Sequence, residues 1–356
     1  FNRLNTYNLP DSTIKKGNTV MDATLYTGNG STQTITNTAG FKPDLVWTKA
    51  KSIAYSHVLY DSVRGTGTTK ALFSDSTAAE GSNSGNVNLT SYNSNGWSVG
   101  STASTNIINA SGETFVGWQW QAGQGSTSSN TSGTITSTVS VNATAGFSIA
   151  TGTTLASGTL SIGHGLGVSP AMVIYRSRNS AGQNWWVWHK SLPNAATGRA
   201  LLLNTTGAEI NGAYFGTPSV SAIVVTMAAA ALNSDAFVLY SWAEIAGFSK
   251  FGSYTGNGSA DGPMIFTGFN PKYWLVKRTD SADDWFLFDS ARDPYNTIDL
   301  RLSPNASYAE ASTTTGFDFL ANGVKVRSSS TAFNASGGTY IFMAFASNPF
   351  KNSNAV

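Results

Sequence analysis

The chain has 356 residues, of which 11% are charged, 40% hydrophobic and 12% aromatic, where typical soluble proteins carry about 25% charge. The apolar content excludes a disordered chain. The balance of 21 basic against 19 acidic residues excludes a strong field toward nucleic acid or anionic lipid, and the absence of cysteine excludes disulfides and thiolate sites.

In chain order, the opening Phe1-Asn2-Arg3-Leu4 lacks the charged and apolar regions of a secretory signal. A start on Phe rather than Met is expected of a processed or truncated chain. No later run reaches the roughly 20 apolar residues of a membrane helix. From residue 24 a pattern begins that returns later in the same order. Its first copy holds Tyr26-Thr27-Gly28-Asn29-Gly30, Gly40-Phe41-Lys42-Pro43, Tyr60-Asp61-Ser62 and Asn109-Ala110-Ser111-Gly112. Another copy holds Tyr254-Thr255-Gly256-Asn257-Gly258, Gly268-Phe269-Asn270-Pro271, Phe288-Asp289-Ser290 and Asn334-Ala335-Ser336-Gly337. Between them, Gly167-Val168-Ser169-Pro170 and His189-Lys190-Ser191 mark a more diverged copy, in which His189 reads as the counterpart of Tyr60 and Phe288. Steps of 127 and 101 residues between the Gly-x-x-Pro motifs are domain-sized. The division is therefore a segment 1–23 and units 24–132, 133–247 and 248–356, with 123–133 a polar linker.

Within each unit the apolar runs are short, β-branched or aromatic, and bounded by Gly, Pro, Asn or Ser, as in Leu45-Val46-Trp47, Ala171-Met172-Val173-Ile174-Tyr175 and Ile341-Phe342-Met343-Ala344-Phe345. These are strand signals. Asn-Gly pairs at 29–30, 95–96, 211–212, 257–258 and 322–323 can close hairpins. The only helix-leaning windows are Met227 to Leu232 and Tyr308 to Ala311. The fold class is all-β: three tandem antiparallel β-sandwich repeats of jelly-roll or lectin-like topology, with about eight to ten strands each.

Chemistry-bearing patterns are sparse. His57, His164 and His189 show no metal-ligand spacing, and no Gly-x-Ser-x-Gly elbow occurs. Gly65-Thr66-Gly67-Thr68-Thr69-Lys70 lacks the gap of a phosphate loop. Asp283, Asp284 and Asp289 around Trp285 are the best carboxylate cluster for a glycosidase, although a polar loop and turn explain them more simply. Asp280-Ser281-Ala282-Asp283-Asp284 is a faint echo of a calcium loop. No catalytic residue, metal or cofactor is assigned. Asp61 with Arg64 and Asp289 with Arg292 recur, and are expected to brace the same structural corner twice. Trp185, Trp186, Trp188 and Trp285 are candidates for an interface or a glycan platform, with Trp186 and Trp188 on one face of their strand and Trp185 on the other.

Taken together, the repeated motifs, with Gly163-His164-Gly165-Leu166-Gly167 and Tyr340-Ile341-Phe342-Met343-Ala344-Phe345-Ala346-Ser347, resemble a tandem-repeat family found in virion surface proteins of marine tailed phages. Ser347 departs from the acid expected by analogy with Glu244. The resemblance implies a structural or adhesion protein on the virion surface, such as a tail fibre contributing to host attachment, and carries no catalytic residues with it. The expected partners are other virion proteins, further copies of the chain in a trimer, and a host surface glycan, with neither nucleic acid nor membrane insertion. The alternative is a spike enzyme that degrades host polysaccharide.

Overall fold

The computed structural model describes residues 13–346 apart from 103–104, 157, 194, 196–197 and 226–233. The window Met227 to Leu232, Ser347 and the first twelve residues lie outside the described residues. The remainder is nearly all β, in antiparallel sheets, with one four-residue helix at Thr331–Asn334.

Three large sheets share one strand order. The first runs Met21–Thr27, Thr114–Trp120, Leu45–Ala50, Val58–Asp61, Leu72–Phe73. The second runs Ser128–Asn130, Ser137–Asn142, Phe147–Thr153, Ala236–Trp242, Met172–Ser177, Trp185–His189, Leu201–Leu202. The third runs Ser249–Thr255, Thr339–Ala346, Pro271–Arg278, Trp285–Asp289. Register makes the correspondence residue by residue. Leu45 lies between Trp120 and Asp61, Met172 between Trp242 and His189, and Tyr273 between Phe345 and Asp289. His189 therefore stands at the position of Asp61 and Asp289, one residue from the position read from the sequence, and Trp188 is the equivalent of Tyr60 and Phe288. His189-Lys190-Ser191 resembles Tyr60-Asp61-Ser62 and Phe288-Asp289-Ser290 in its ring and its serine, and that likeness hides the one-residue difference in strand pairing.

Each large sheet buries both faces, which explains strands such as Trp285-Phe286-Leu287-Phe288 with large side chains on both. One face meets a smaller sheet: Gln33–Thr36, Gly96–Val99 and Leu89–Asn93 under the first, Leu160–Gly163 and Ala222–Val225 under the second, and Met264–Phe266, Gly323–Val326, Ala311–Leu320 and Ile298–Arg301 under the third. The opposite faces of all three large sheets meet each other. One cluster joins Trp47, Trp118 and Trp120 to Trp185, Tyr240 and Trp242 and to Tyr273, Trp285 and Phe345. A buried aromatic removes about 150–250 Å² from water, roughly 4–6 kcal/mol at ~25 cal/mol per Å². This shared centre therefore holds the three large sheets to one another, so they do not stand as independent units strung along the chain.

The one-residue offset between Trp47 and Trp274 follows the pleat. Trp47 points into the shared centre and Trp274 into the cluster beneath the third sheet, stacked on Phe342 at 4.5 Å. The polar stretch 123–133 is also held in place. Gln124 and Gly125 donate backbone N–H groups to Asp44, and Ser128–Asn130 is a strand of the second sheet. Asn-Gly pairs close hairpins at 95–96 and 322–323, where Asn93 faces Gly96 and Leu320 faces Gly323. At 29–30 and 257–258 they turn the chain from a large sheet to its small one instead. There Asn109 donates to Asn29 and Ser31, and Asn334 to Asn257 and Ser259. A Cβ on Gly28 would sit 2.1 Å from the Ala110 carbonyl and one on Gly256 2.3 Å from that of Ala335, so neither position accepts a side chain.

Candidate functional site: the polar junctions between the large sheets

Chemistry-bearing side chains converge where the large sheets meet. In the first corner, Asp61 accepts from the backbone of Val63 and Arg64, from the Arg64 guanidinium, and from the Tyr240 hydroxyl of the second sheet at 2.7 Å. In the matching corner, Asp289 accepts from Ala291, from Arg292 through backbone and Nε (2.6 Å), and from Trp118 Nε1 of the first sheet at 2.9 Å. Each arginine continues alike, Arg64 to the Leu59 carbonyl and Glu80, Arg292 to the Leu287 carbonyl and Glu310. Both guanidinium groups are fully buried. Burial pulls the Arg64 pKa down, but Asp61, Tyr240 and Glu80 outweigh it and hold the charge in place. The four residues expected to brace one corner twice do so here, and each aspartate also ties its corner to a neighbouring sheet.

The third corner inverts the chemistry. Met343 stands where Trp118 and Tyr240 stand, and has no proton to give. His189 replaces the aspartate: its Nδ1 accepts from the Ser191 backbone at 3.1 Å, and its Nε2 donates to the Phe342 carbonyl of the third sheet at 3.1 Å. Those partners assign the neutral tautomer with the proton on Nε2. Burial drives the His189 pKa down to about 3. His57 is buried between Trp47 and Trp118, and burial, with Lys49 and Arg292 nearby, holds its pKa well below the ordinary value.

Two further links repeat around the molecule. The backbone N–H of Glu80 donates to the Arg178 carbonyl (2.7 Å), that of Glu209 to Thr279 (2.8 Å) and that of Glu310 to Lys51 (2.8 Å). Trp185 Nε1 donates to the Phe73 carbonyl at 2.8 Å and Trp285 Nε1 to that of Leu202 at 3.0 Å. His57 holds the matching place on the first sheet, and its ring lies against the Ser303 backbone. Three cations sit at one register position, Lys49, Arg176 and Lys277. Burial lowers both lysines to about 8 and Arg176 to about 10. Arg176 reaches the Ala78 carbonyl and Lys277 that of Thr206, each on a neighbouring sheet's loop.

The aromatic candidates divide by face as alternation requires. Trp185 and Trp285 lie in the shared centre, whereas Trp188 and the partly exposed Trp186 pack beneath the second sheet, Trp186 against Tyr214 at 4.6 Å. Trp185, Trp188 and Trp285 have no face open to a sugar, because strands of the same chain cover them. Asp284 is bound to Asn305 and Asp280 to Arg278. Among the described residues no group of three or more His, Asp or Glu is placed to hold a metal. The buried cations, Tyr240 and the three glutamates were missed in the sequence. Aligned on strand register, Lys49, Arg176 and Lys277 would have stood out as a charge repeated inside an apolar run.

Sheet order and junctions together define a nearly all-β protein with buried charged groups at the contacts between its large sheets. The chain belongs to the family described as a domain of unknown function, DUF7483, which it matches over residues 16–349. No curated protein and no solved structure matches it.

Proposed function

We propose that the chain is a structural building block of a virion surface, without catalytic activity, in which three antiparallel sandwiches close into a ring about a pseudo-threefold axis. The observation that carries this reading is the cyclic set of backbone bonds from Glu80 to Arg178, Glu209 to Thr279 and Glu310 to Lys51, each joining one unit to the next and the last to the first. A closed ring leaves no terminal unit to fray, which suits a part that must stay rigid outside the cell. Groups able to do acid, base or nucleophilic work, such as Asp61, Asp289 and His189, are engaged in holding units together. The surface tag comes from the motif resemblance alone. The tryptophan strand was expected to meet another domain or another chain, and Trp185 supports the first of these, since it packs against other sheets of the same chain. Attachment to other virion proteins, to further copies or to a host glycan then falls to the outer surface.

Two measurements test the proposal. Labelled antibody against the chain should decorate intact particles, visible by electron microscopy. Incubation with host envelope or capsular polysaccharide should release no new reducing ends, and their release would favour the polysaccharide-degrading alternative.

A further inference from the structure

The third unit differs from the other two in the lining of one cleft. Leu302 pairs with Leu287, Leu72 with Leu59 and Leu201 with Val187, so the residues around them correspond. Arg301 then stands where the other units have Ala71 and Ala200, each buried in the core beneath its large sheet. Ser303 replaces Phe73 and Leu202, and Asp284, just before its strand, replaces Asn184. The charge at 284 is not needed for the local bond there. Asp284 accepts from Asn305 Nδ2 at 2.6 Å, and Asn184 accepts from Asn204 in the same way with a neutral amide, at 2.9 Å. These three changes line an open cleft of about 160 Å³, completed by Tyr308, Ala309 and Ala311. A single bound water needs only about 15 Å³. The Arg301 guanidinium lies 5.2 Å from the centre of the Phe286 ring. Among the described residues it makes no hydrogen bond or ion pair, not even with Asp284 on the same cleft. Tyr308, 64% exposed, presents its ring there as well.

We infer that this cleft binds a neutral hexose ring, whose hydroxyls donate to Asp284 and accept from Arg301 while an apolar face of the sugar lies on Tyr308. A guanidinium and a carboxylate that share a cleft without meeting suit a ligand that both donates and accepts, as neighbouring hydroxyls do. A phosphate or carboxylate ligand would satisfy Arg301 but would face the like charge of Asp284. The tyrosine ring adds flat apolar area at small ordering cost. Asp284 is the one carboxylate on the described lining, and hydrolysis of a glycosidic bond requires a pair, so the cleft holds a sugar without cutting it. As an attachment site it rests on the reading of the chain as a virion surface part; as a sugar site it does not.

Methyl glycosides of glucose, galactose and mannose, with acetate and phosphate as anionic controls, would be titrated at millimolar concentration into the whole chain and followed by protein-observed NMR. Shifts confined to Asp284, Arg301, Ser303 and Tyr308 are expected with at least one glycoside, and tighter binding of a host polysaccharide would assign the ring to a glycan chain. Arg301→Ala installs the residue of the other two units and should abolish the shifts with Tm unchanged. Tyr308→Ala, at an exposed position, should weaken binding about two- to tenfold, the worth of one aromatic face. No local shift with any glycoside overturns the inference, and shifts with acetate or phosphate alone make the cleft an anion site instead. Glycoside shifts that survive both substitutions place the sugar elsewhere and overturn it too. Glycoside binding by a chain that antibody does not find on particles keeps the sugar site and removes the virion reading, while decorated particles without glycoside shifts do the reverse.

Discussion

Acid should unfold this protein earlier than its few carboxylates alone would, through histidines that are buried uncharged. The sign follows from linkage: a histidine whose folded pKa is depressed binds fewer protons folded than unfolded, so its penalty is absent above pH 6.5 and grows as pH falls below it. His189 has a folded pKa of about 3. Against an unfolded value of about 6.5, it costs roughly 2 kcal/mol by pH 5, at ~1.4 kcal/mol per unit. His57, also fully buried and well depressed, adds a cost in the same direction. His164, depressed by burial although its Nε2 donates to Ser219, adds a smaller one. Urea unfolding followed by tryptophan fluorescence at half-unit intervals from pH 7.5 to 5 would measure the slope. His189→Gln can still donate to Phe342 but does not titrate, so the variant should lose about 2 kcal/mol less than wild type over that range. Equal pH slopes for the two proteins would refute the assignment of His189 as a buried neutral donor.

Tyr240→Phe removes one of the four donors on Asp61 and should cost about 1.5–3 kcal/mol, the usual worth of a hydrogen bond to a charged group, read from urea midpoints. Asp61→Ala leaves Arg64 buried beside Glu80 alone and should cost about 3–5 kcal/mol. A double-mutant cycle between the two should show clear coupling, and additivity would argue against the bond across the sheets. Gly28→Ala and Gly256→Ala each drive a methyl into a carbonyl and should destabilise by similar amounts, about 1–3 kcal/mol or more, by thermal unfolding. Trp186→Ala, beneath the second sheet and partly exposed, should cost less than Trp185→Ala, which opens a cavity in the shared centre at about 3–5 kcal/mol.

The strand class, the corner motifs and the recurrence of Asn109 and Asn334 were legible because local rules set them: turn chemistry, alternation and short-range hydrogen bonds act over a few residues. The joining of the three large sheets was not legible. A strand with apolar residues on both faces reports that something covers the second face, without saying whether that cover is another chain or another part of the same one. The register of the second unit was obscured for a related reason. His189 looks like an aromatic filler in sequence, and only its pairing with Met172 puts it at the register position of Asp61 and Asp289. Lys49 and Lys277 drew no reading from the sequence, because their partners are backbone carbonyls, of Ala50 for Lys49 and of Arg278 and Thr206 for Lys277, which leave no side-chain pattern.

The exchange of His189 for aspartate and of Met343 for a donor ring argues that the junctions matter as pairs rather than as single residues. An aspartate at 189 would face the Phe342 carbonyl and the Met343 side chain with no proton between them, a buried charge without a donor from the third sheet. A neutral imidazole solves this by donating where the aspartates accept, and it keeps the same bond to the backbone two residues on, as His189 does with Ser191, Asp61 with Val63 and Asp289 with Ala291. Two contacts run from side-chain donor to carboxylate and one from imidazole to carbonyl, and all three leave the same register position, the third ending on Phe342, one residue from the place of Trp118 and Tyr240. The hydrogen-bond polarity of a junction can thus be reversed as long as both partners change, while the position of the bond in the ring is kept.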